Sequence, residues 1–486
     1  MNRWPSWKRR PRRFPDEAAI DTRRGRRVYV CTVLSAGLLA LIALPIHATS
    51  PNTAEGAFTF VPADRVLILA PHPDDEILAC GGVLQRALGH GAAVQACFLT
   101  YGDNNEWSFT LYRHRPVLTP GGMRRMGLVR HDEALDAART LGLATNDLVF
   151  LGYPDFRMLP IWLGRWNGAP PEEGMFTRVT AVPYANALRP GAAYTGEEVL
   201  RDIEAVVRAF RPTHVFLPHP ADLNPDHRAL YLFAKVALWN AAPQAPPRVH
   251  AYLVHAAGWP RPEKLHPGLP LDPPPGIATS LDWERVPLTP RESARKTEAL
   301  RAHRTQFGYS GAYMLAFARA NELFAADPVV LLSARAPAAE LPAGNETVPE
   351  AGAYSEEERV AIVGLERQSV AWSDERLVVR LDLVRPLGRE LELSLYAFGW
   401  RPDRPFADMP KLHVRVSPLG HAVHDLGRRL PPDTVRVRRE ARQVEIDIPA
   451  GALGGPRRVL TGVRCYLADL PVDHAGWSAL ELGGEP

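Results

Sequence analysis

From Arg65 to about Leu332, short continuous apolar runs alternate with helix-spaced segments. VLILA (Val66 to Ala70) is apolar at every position, as a parallel strand buried on both faces must be. GGVLQRALGHG reads as a short helix ending in glycine, and AVQACFLTYGD as a second strand running into a loop. GLVRHDEALDAARTLGL places Leu128, Leu135, Ala138 and Leu141 near helical spacing, and LVFLGYPD and THVFLPHP are further apolar strands. This alternation predicts a Rossmann-like, doubly wound, mostly parallel α/β sheet across 64–333. Between Phe156 and Tyr194 lies a long stretch of Pro, Gly and aromatics without periodicity, which reads as a substrate-facing lid or insertion.

A Pro- and Ala-rich linker, 334–354, precedes a change of period to two. ERLVVRLDL, LELSLYAF, KLHVRVS and VEIDIPAGAL alternate apolar and polar positions between turn residues. Residues 355–486 are therefore expected to form an antiparallel β-sandwich with no metal or catalytic cluster of its own. At the other end, Val28 to Ile46 is nineteen residues without a charge, long enough to span a bilayer. The preceding 27 residues carry ten Arg/Lys against three Asp/Glu, a bias that keeps the N-terminus cytoplasmic. Residues 1–27 thus read as a basic cytoplasmic tail, 28–48 as a transmembrane anchor or signal peptide, and 49–63 as a linker. The body is expected to be exported, facing the periplasm or extracellular side, or secreted if the segment is cleaved.

Composition adds two exclusions. The chain totals +3, and the N-terminal tail alone exceeds that, so the rest is net acidic and nucleic acid is not an expected partner. Of four cysteines, Cys31 falls in the apolar N-terminal segment, and Cys80, Cys97 and Cys465 show no CxxC spacing; buried thiols are expected rather than a disulfide framework.

The chemistry concentrates at two strand ends. APHPDDEILACGG crowds His72, Asp74, Asp75 and Glu76 after the first strand, and THVFLPHPADLNPDHRAL supplies His219, Asp222, Asp226 and His227 after a later one. Carboxylates crowded at a buried strand end repel one another unless a cation or proton relieves them. In open α/β sheets, loops at carboxyl strand ends meet in one crevice, so the two clusters are expected to converge on a metal ion. A His/Asp set with one open position suits zinc, with iron(II) or cobalt(II) as alternatives. Glu76 reads as support for the loop or the following helix N-terminus, and His214, His250, His255 and His303 as packed or hydrogen-bonded histidines.

PHPDDE, LGYPD and the later PDH, in that order, together with VRHDEALDAARTLG and ALRAHRTQF, resemble the PIG-L/LmbE-like zinc N-deacetylases over roughly Val66 to Phe324. The resemblance implies a zinc-dependent hydrolase with one metal per chain, acting on an N-acetylated amino sugar in a glycan, glycolipid or glycoconjugate and releasing acetate. His72, Asp75 and His227 resemble the metal ligands, with His219 a competitor for the third place, and Asp74 resembles the general base. Arg130 and Asp155 match positions where the family binds substrate hydroxyls or stabilises the pocket, a structural ion pair or loop-capping carboxylate being the other reading. Asn224 stands where the family often has the first histidine of HPDH, the oxyanion-stabilising position, and Asp226 is expected to orient His227. Trp107, Trp162, Trp166, Tyr184 and Tyr194 could stack on a sugar, though such aromatics more often pack within a lid. The other readings are a non-catalytic metal-containing glycan-binding or scaffold protein, which only Asn224 favours, and another metallohydrolase such as a phosphoesterase.

Overall fold

The computed structural model describes residues 53–55, 58–105, 110, 118–242, 245–275, 277, 281–334, 336–341, 364–387, 391–467 and 470–483. The apolar N-terminal segment 28–46, Cys31 and Trp107 lie outside the described residues. Among those described, no helix is long and apolar enough to cross a membrane.

The strands of the first sheet are β1 (Thr53–Glu55), β2 (Arg65–Ala70), β3 (Ala93–Thr100), β4 (Leu148–Tyr153), β5 (His214–Pro218), β6 (Arg248–Tyr252), β7 (Trp283–Pro287) and β8 (Asn321–Ala326). They lie in the order β1-β7-β8-β6-β5-β2-β3-β4. The run from β6 to β4 is parallel throughout, and β8 pairs antiparallel with β6 and β7. From β2 the chain proceeds to β3 and β4 on one side, then returns to add β5 and β6 on the other. The switch point therefore falls between β2 and β5, where an open α/β sheet leaves a crevice at its carboxyl ends. VLILA is fully buried, as its unbroken apolar run requires.

The helices are α1 (Asp75–Gly89), α2 (Pro120–Leu141), α3 (Met158–Gly164), α4 (Gly196–Phe210), α5 (Pro225–Ala241), α6 (Pro290–Ala302) and α7 (Arg304–Leu315). Their starts follow local chemistry. Thr119 caps α2 by accepting from the Gly122 amide at 3.2 Å, with Pro120 as the first residue, and Gly142 ends it in the left-handed conformation. Thr289 and Glu292 form a reciprocal capping box on α6.

Two antiparallel sheets follow. One has five strands, β10 (Ala339–Glu340), β11 (Leu365–Ser373), β12 (Arg376–Leu383), β18 (Gln443–Pro449) and β17 (Arg436–Arg439), in that spatial order. The other runs β16 (Arg428–Leu430), β15 (Gly420–Asp425), β14 (Lys411–Ser417), β13 (Leu391–Trp400), β19 (Arg458–Leu467), β20 (Leu470–Gly483) and β9 (Val329–Ser333). The buried alternate positions of β12 and β18 join those of β13, β14 and β19 in one apolar cluster. Here the sequence boundary shifts. Val329–Ser333 was expected to close the α/β unit at 333, but pairs in parallel with Ala479–Gly483 as an edge of the C-terminal sheet.

The two parts share core. Trp162 of α3 packs against Phe398, Phe406 and Trp477 at ring separations of 5.6, 5.3 and 6.3 Å, and Trp166 meets Phe406 at 5.2 Å. Lys411 caps this aromatic joint, its ammonium 3.9 Å from the Phe406 ring centre and bound to the Met409 carbonyl at 2.8 Å. A Cβ on Gly476 of β20 would lie 3.5 Å from the Pro220 carbonyl, so this strand abuts the loop after β5. The segment from Phe156 to Tyr194 is correspondingly packed rather than open: Trp162, Trp166, Tyr184 and Tyr194 are all buried, as lid-core aromatics and not as a sugar platform. Cys80, Cys97 and Cys465 are buried, and none of them forms a disulfide among the described residues.

Candidate active site

Three loops at the carboxyl ends of β2, β4 and β5 bring the acidic and imidazole groups together. After β2, Pro71 to Asp74 turns sharply into α1. Asp74, the residue preceding that helix, has φ 145° and ψ −29°, a strained conformation for a residue with a side chain. The turn is held from two sides. The Asp74 amide donates to Glu76 Oε2 at 3.0 Å, the supporting role expected of Glu76. Arg130 of α2 donates to the Pro73 carbonyl at 3.1 Å and to the Gly102 carbonyl at 2.9 Å. Gly102 is obligatory, because a Cβ there would sit 2.1 Å from Arg130 Nη1.

His72, Asp75 and His227 converge. Asp75 Oδ2 lies 3.1 Å from His72 Nδ1 and 3.1 Å from His227 Nε2. Ligands of a tetrahedral ion with bonds of ~2.0 Å stand roughly 3.3 Å apart, so the spacing suits a divalent cation. Both His227 ring nitrogens are buried, yet neither makes a well-aligned hydrogen bond. A ring nitrogen facing a carboxylate in this way calls for a proton or a cation between them.

The far nitrogens of both imidazoles face carboxylates, the arrangement that orients metal-binding histidines. His72 Nε2 is 3.1 Å from Asp155 Oδ1 and 3.3 Å from Asp226 Oδ2. His227 Nδ1 is 3.2 Å from Asp222 Oδ2. Asp226 thus serves His72 and not His227, correcting the sequence expectation. Adjacent residues in the first turn of α5 point about 100° apart, so 226 faces the β4 loop while 227 faces Asp75. Amides of Phe156 and Met158 complete the hold on Asp226.

Two further expectations change. Asp155 is buried behind His72 and accepts from the Asn104 amide at 3.0 Å, which leaves it unable to reach a substrate hydroxyl. Arg130 is spent on the loop carbonyls and on Asp74, 3.6 Å from its Nη2. Asn224 is half-buried and its Oδ1 caps α5 by accepting from the Asp226 amide at 2.9 Å. His219 is buried outside the cluster, where its Nδ1 accepts from the Ala221 amide at 3.1 Å; burial lowers it to about 4. The residues that sequence reasoning left without a role are Asp222 and His255. A histidine just beyond the parallel strand β6, at the same sheet edge, was the available signal.

The electrostatics separate the two neighbouring aspartates. Burial pushes Asp74 up, Arg130 opposes this and Asp75 adds to it, leaving the carboxyl raised to about 7. Burial acts on Asp75 too, but His227 and His72 outweigh it and hold it well below the usual carboxylate range. Burial alone would lower His227; Asp222 and Asp75 overcome it and raise it to about 9. A bound cation would replace those protons. One aspartate is therefore a permanent anion suited to a ligand, and its neighbour a proton acceptor near neutrality.

Residues 67–238 match the PIG-L family model. The family model carries the description GlcNAc-PI de-N-acetylase. The chain is 28% identical over 288 residues to the 1D-myo-inositol 2-acetamido-2-deoxy-α-D-glucopyranoside deacetylase of Streptomyces griseus, covering 54% of this chain and 80% of that protein. It is also 28% identical over 255 residues to the protein of the same name from Mycobacteroides abscessus, covering 51% and 82%. Among solved structures it resembles the N,N'-diacetylchitobiose deacetylase of Pyrococcus horikoshii, with 19% identity, a TM-score of 0.32, and coverage of 52% and 75%. The PIG-L match ends within α5, and the two antiparallel sheets lie wholly beyond it.

Proposed function

We propose that this chain is a metal-dependent hydrolase that removes the N-acetyl group from an N-acetylated amino sugar of a glycan, glycolipid or glycoconjugate, releasing acetate and the free amine. The observation that carries this reading is the convergence of buried nitrogens and an oxygen from His72, Asp75 and His227 beside Asp74, whose carboxylate is partly open to solvent. Those three residues would hold the cation, and a His₂Asp set favours zinc. When bound, a divalent cation supplies Lewis-acid polarisation of the acetamide carbonyl and acidifies water. Asp74 takes a proton from water as its oxygen adds to the carbonyl carbon, then returns that proton to the amide nitrogen as the C–N bond breaks. Arg130 keeps the Asp74 turn in place, while Asp155 and Asp226 fix the His72 ring and Asp222 fixes that of His227. The description of the family and the names of the relatives support a GlcNAc-type substrate.

We read residues 28–46 as the anchor or signal that places this site on the exported side, and the C-terminal sheets as a β-sandwich accessory unit. The test measures bound metal and acetate release from N-acetylglucosamine oligomers and glycolipids for the full chain and for Asp74→Asn. One metal per chain, with release lost in the variant, supports the reading. A chain that binds no metal, or release indifferent to Asp74, refutes it.

A further inference from the structure

Asp222 is the pivot of a second arm of the site. Its buried carboxylate accepts from the amides of Asn224 at 2.9 Å, Val254 at 3.0 Å and His255 at 2.9 Å. One oxygen lies 3.1 Å from His255 Nδ1, and the other faces His227 Nδ1. The loop carrying His255 is pinned twice more: Tyr313 Oη donates to the Val254 carbonyl at 2.7 Å, and the Leu223 amide donates to the His255 carbonyl at 3.1 Å. The His255 imidazole is therefore fixed in position and in tautomer. With a carboxylate at Nδ1 the ring proton resides there, and Nε2 presents its lone pair away from Asp222.

Exposure singles this ring out. The His72 side chain is 9% exposed, Asp75 2%, and Asp226 and His227 0%, whereas Asp74 reaches 15% and His255 35%. Asp74 and His255 are thus the most exposed of these groups. The His255 and His227 rings meet edge to face at 4.6 Å, so His255 is a wall of the same centre. Asn224 has turned its side-chain oxygen to the helix cap and offers no acceptor there.

We propose that His255 contacts the substrate directly, its Nε2 accepting a hydrogen bond from an O–H or N–H of the N-acetylated amino sugar, on the far side of His227 from Asp75. The assignment rests on the deacetylase reading above. It makes His255 a recognition group built on a carboxylate that also aligns a candidate metal ligand.

The experiment uses the full chain, with His255→Phe and His255→Gln beside the unaltered protein. Acetate release from N-acetylglucosamine oligomers is followed as kcat and KM, and zinc affinity is measured by competition with a chelating dye. Loss of a neutral hydrogen bond corresponds to roughly a 3- to 10-fold effect. The expected result is a fall of about that size in kcat/KM for His255→Phe, carried mainly by KM, with zinc affinity unchanged. His255→Gln, whose amide oxygen can still accept, recovers part of it. Unchanged kcat/KM in the Phe variant overturns the assignment, as does a fall matched by lost zinc affinity, which would make His255 a support for His227. Release that occurs but ignores residue 255 sinks this assignment alone. No release by the unaltered protein sinks the deacetylase reading and this assignment with it.

Discussion

Arg130 offers the sharpest test of how the acid–base group is tuned. Its guanidinium lies 3.6 Å from Asp74 Oδ2 and also clamps the Pro73 and Gly102 carbonyls. Two unit charges at that distance attract by roughly 4–5 kcal/mol at an effective dielectric near 20. Asp74 is 15% exposed, so solvent screening reduces the realised effect, and an Arg beside a carboxylate typically depresses it by about 1–3 pH units. Asp74 acts as a base only when ionised. Removing the positive charge raises its pKa, so the acidic limb of the kcat/KM profile must move to higher pH, by about 1–3 units in Arg130→Met. Arg130→Lys keeps the charge but cannot bridge two carbonyls. It should leave the limb within about half a unit of the unaltered protein while lowering kcat/KM at every pH. The assay is the pH profile of acetate release at saturating metal, with metal content checked for each variant. If Arg130→Met loses activity uniformly and its limb stays where it was, Arg130 is only a loop clamp, and the electrostatic account of Asp74 is wrong.

Further predictions follow from neighbouring groups. Asp74→Asn should lower kcat by about 10²–10⁴-fold while retaining metal, read by acetate release beside metal analysis. Asp222→Asn should weaken metal affinity by about 10–100-fold, because the His227 ring loses the carboxylate that aligns it; unchanged affinity in a competition titration would count against that role. Trp162→Ala removes a fully buried indole and should cost about 3–5 kcal/mol of stability, measured by denaturant unfolding. Residues 28–46 should keep the chain in the membrane fraction after alkaline washing, or be missing from the N-terminus of the mature protein.

The pairing of strand-end motifs was legible because each followed a wholly apolar run, and the doubly wound pattern put both at one sheet edge. The two clusters come together on that logic, whereas the choice of His72, Asp75 and His227 within them, over His219, came from the resemblance to the PIG-L/LmbE-like family. What escaped was detail at the scale of a single turn. Asp222 precedes α5 and Asp226 lies in its first turn, and which of them meets His227 depends on α5 starting at Pro225, a matter of helix phase. Arg130 and Asp155 were read as binding substrate or stabilising the pocket, and the partners that give them the second role come from loops distant in sequence. Val329–Ser333 looked like the end of the first sheet because its strand partner lies far along the chain, and long-range parallel pairing leaves no local mark. The aromatics between Phe156 and Tyr194 pack as lid core, the reading the sequence favoured, but part of the surface that covers Trp162 and Trp166 belongs to another part of the chain, which no local pattern shows.

That covering surface bears on how the protein can be cut or inherited. Trp162 sits on the short helix that follows Asp155 and Trp166 just beyond its end, and their outer neighbours are Phe398, Phe406 and Trp477. A truncation placed where family likeness fades would pass through this shared core and leave large aromatic rings facing water, an adhesive patch of the kind that drives aggregation. It would also strip Gly476 from the Pro220–Ala221 loop that leads to Asp222. Heating should accordingly melt both parts in one transition. A recombinant exchange of the C-terminal sheets would succeed only with partners that bring the same aromatic socket, so the two halves are bound to change together or not at all.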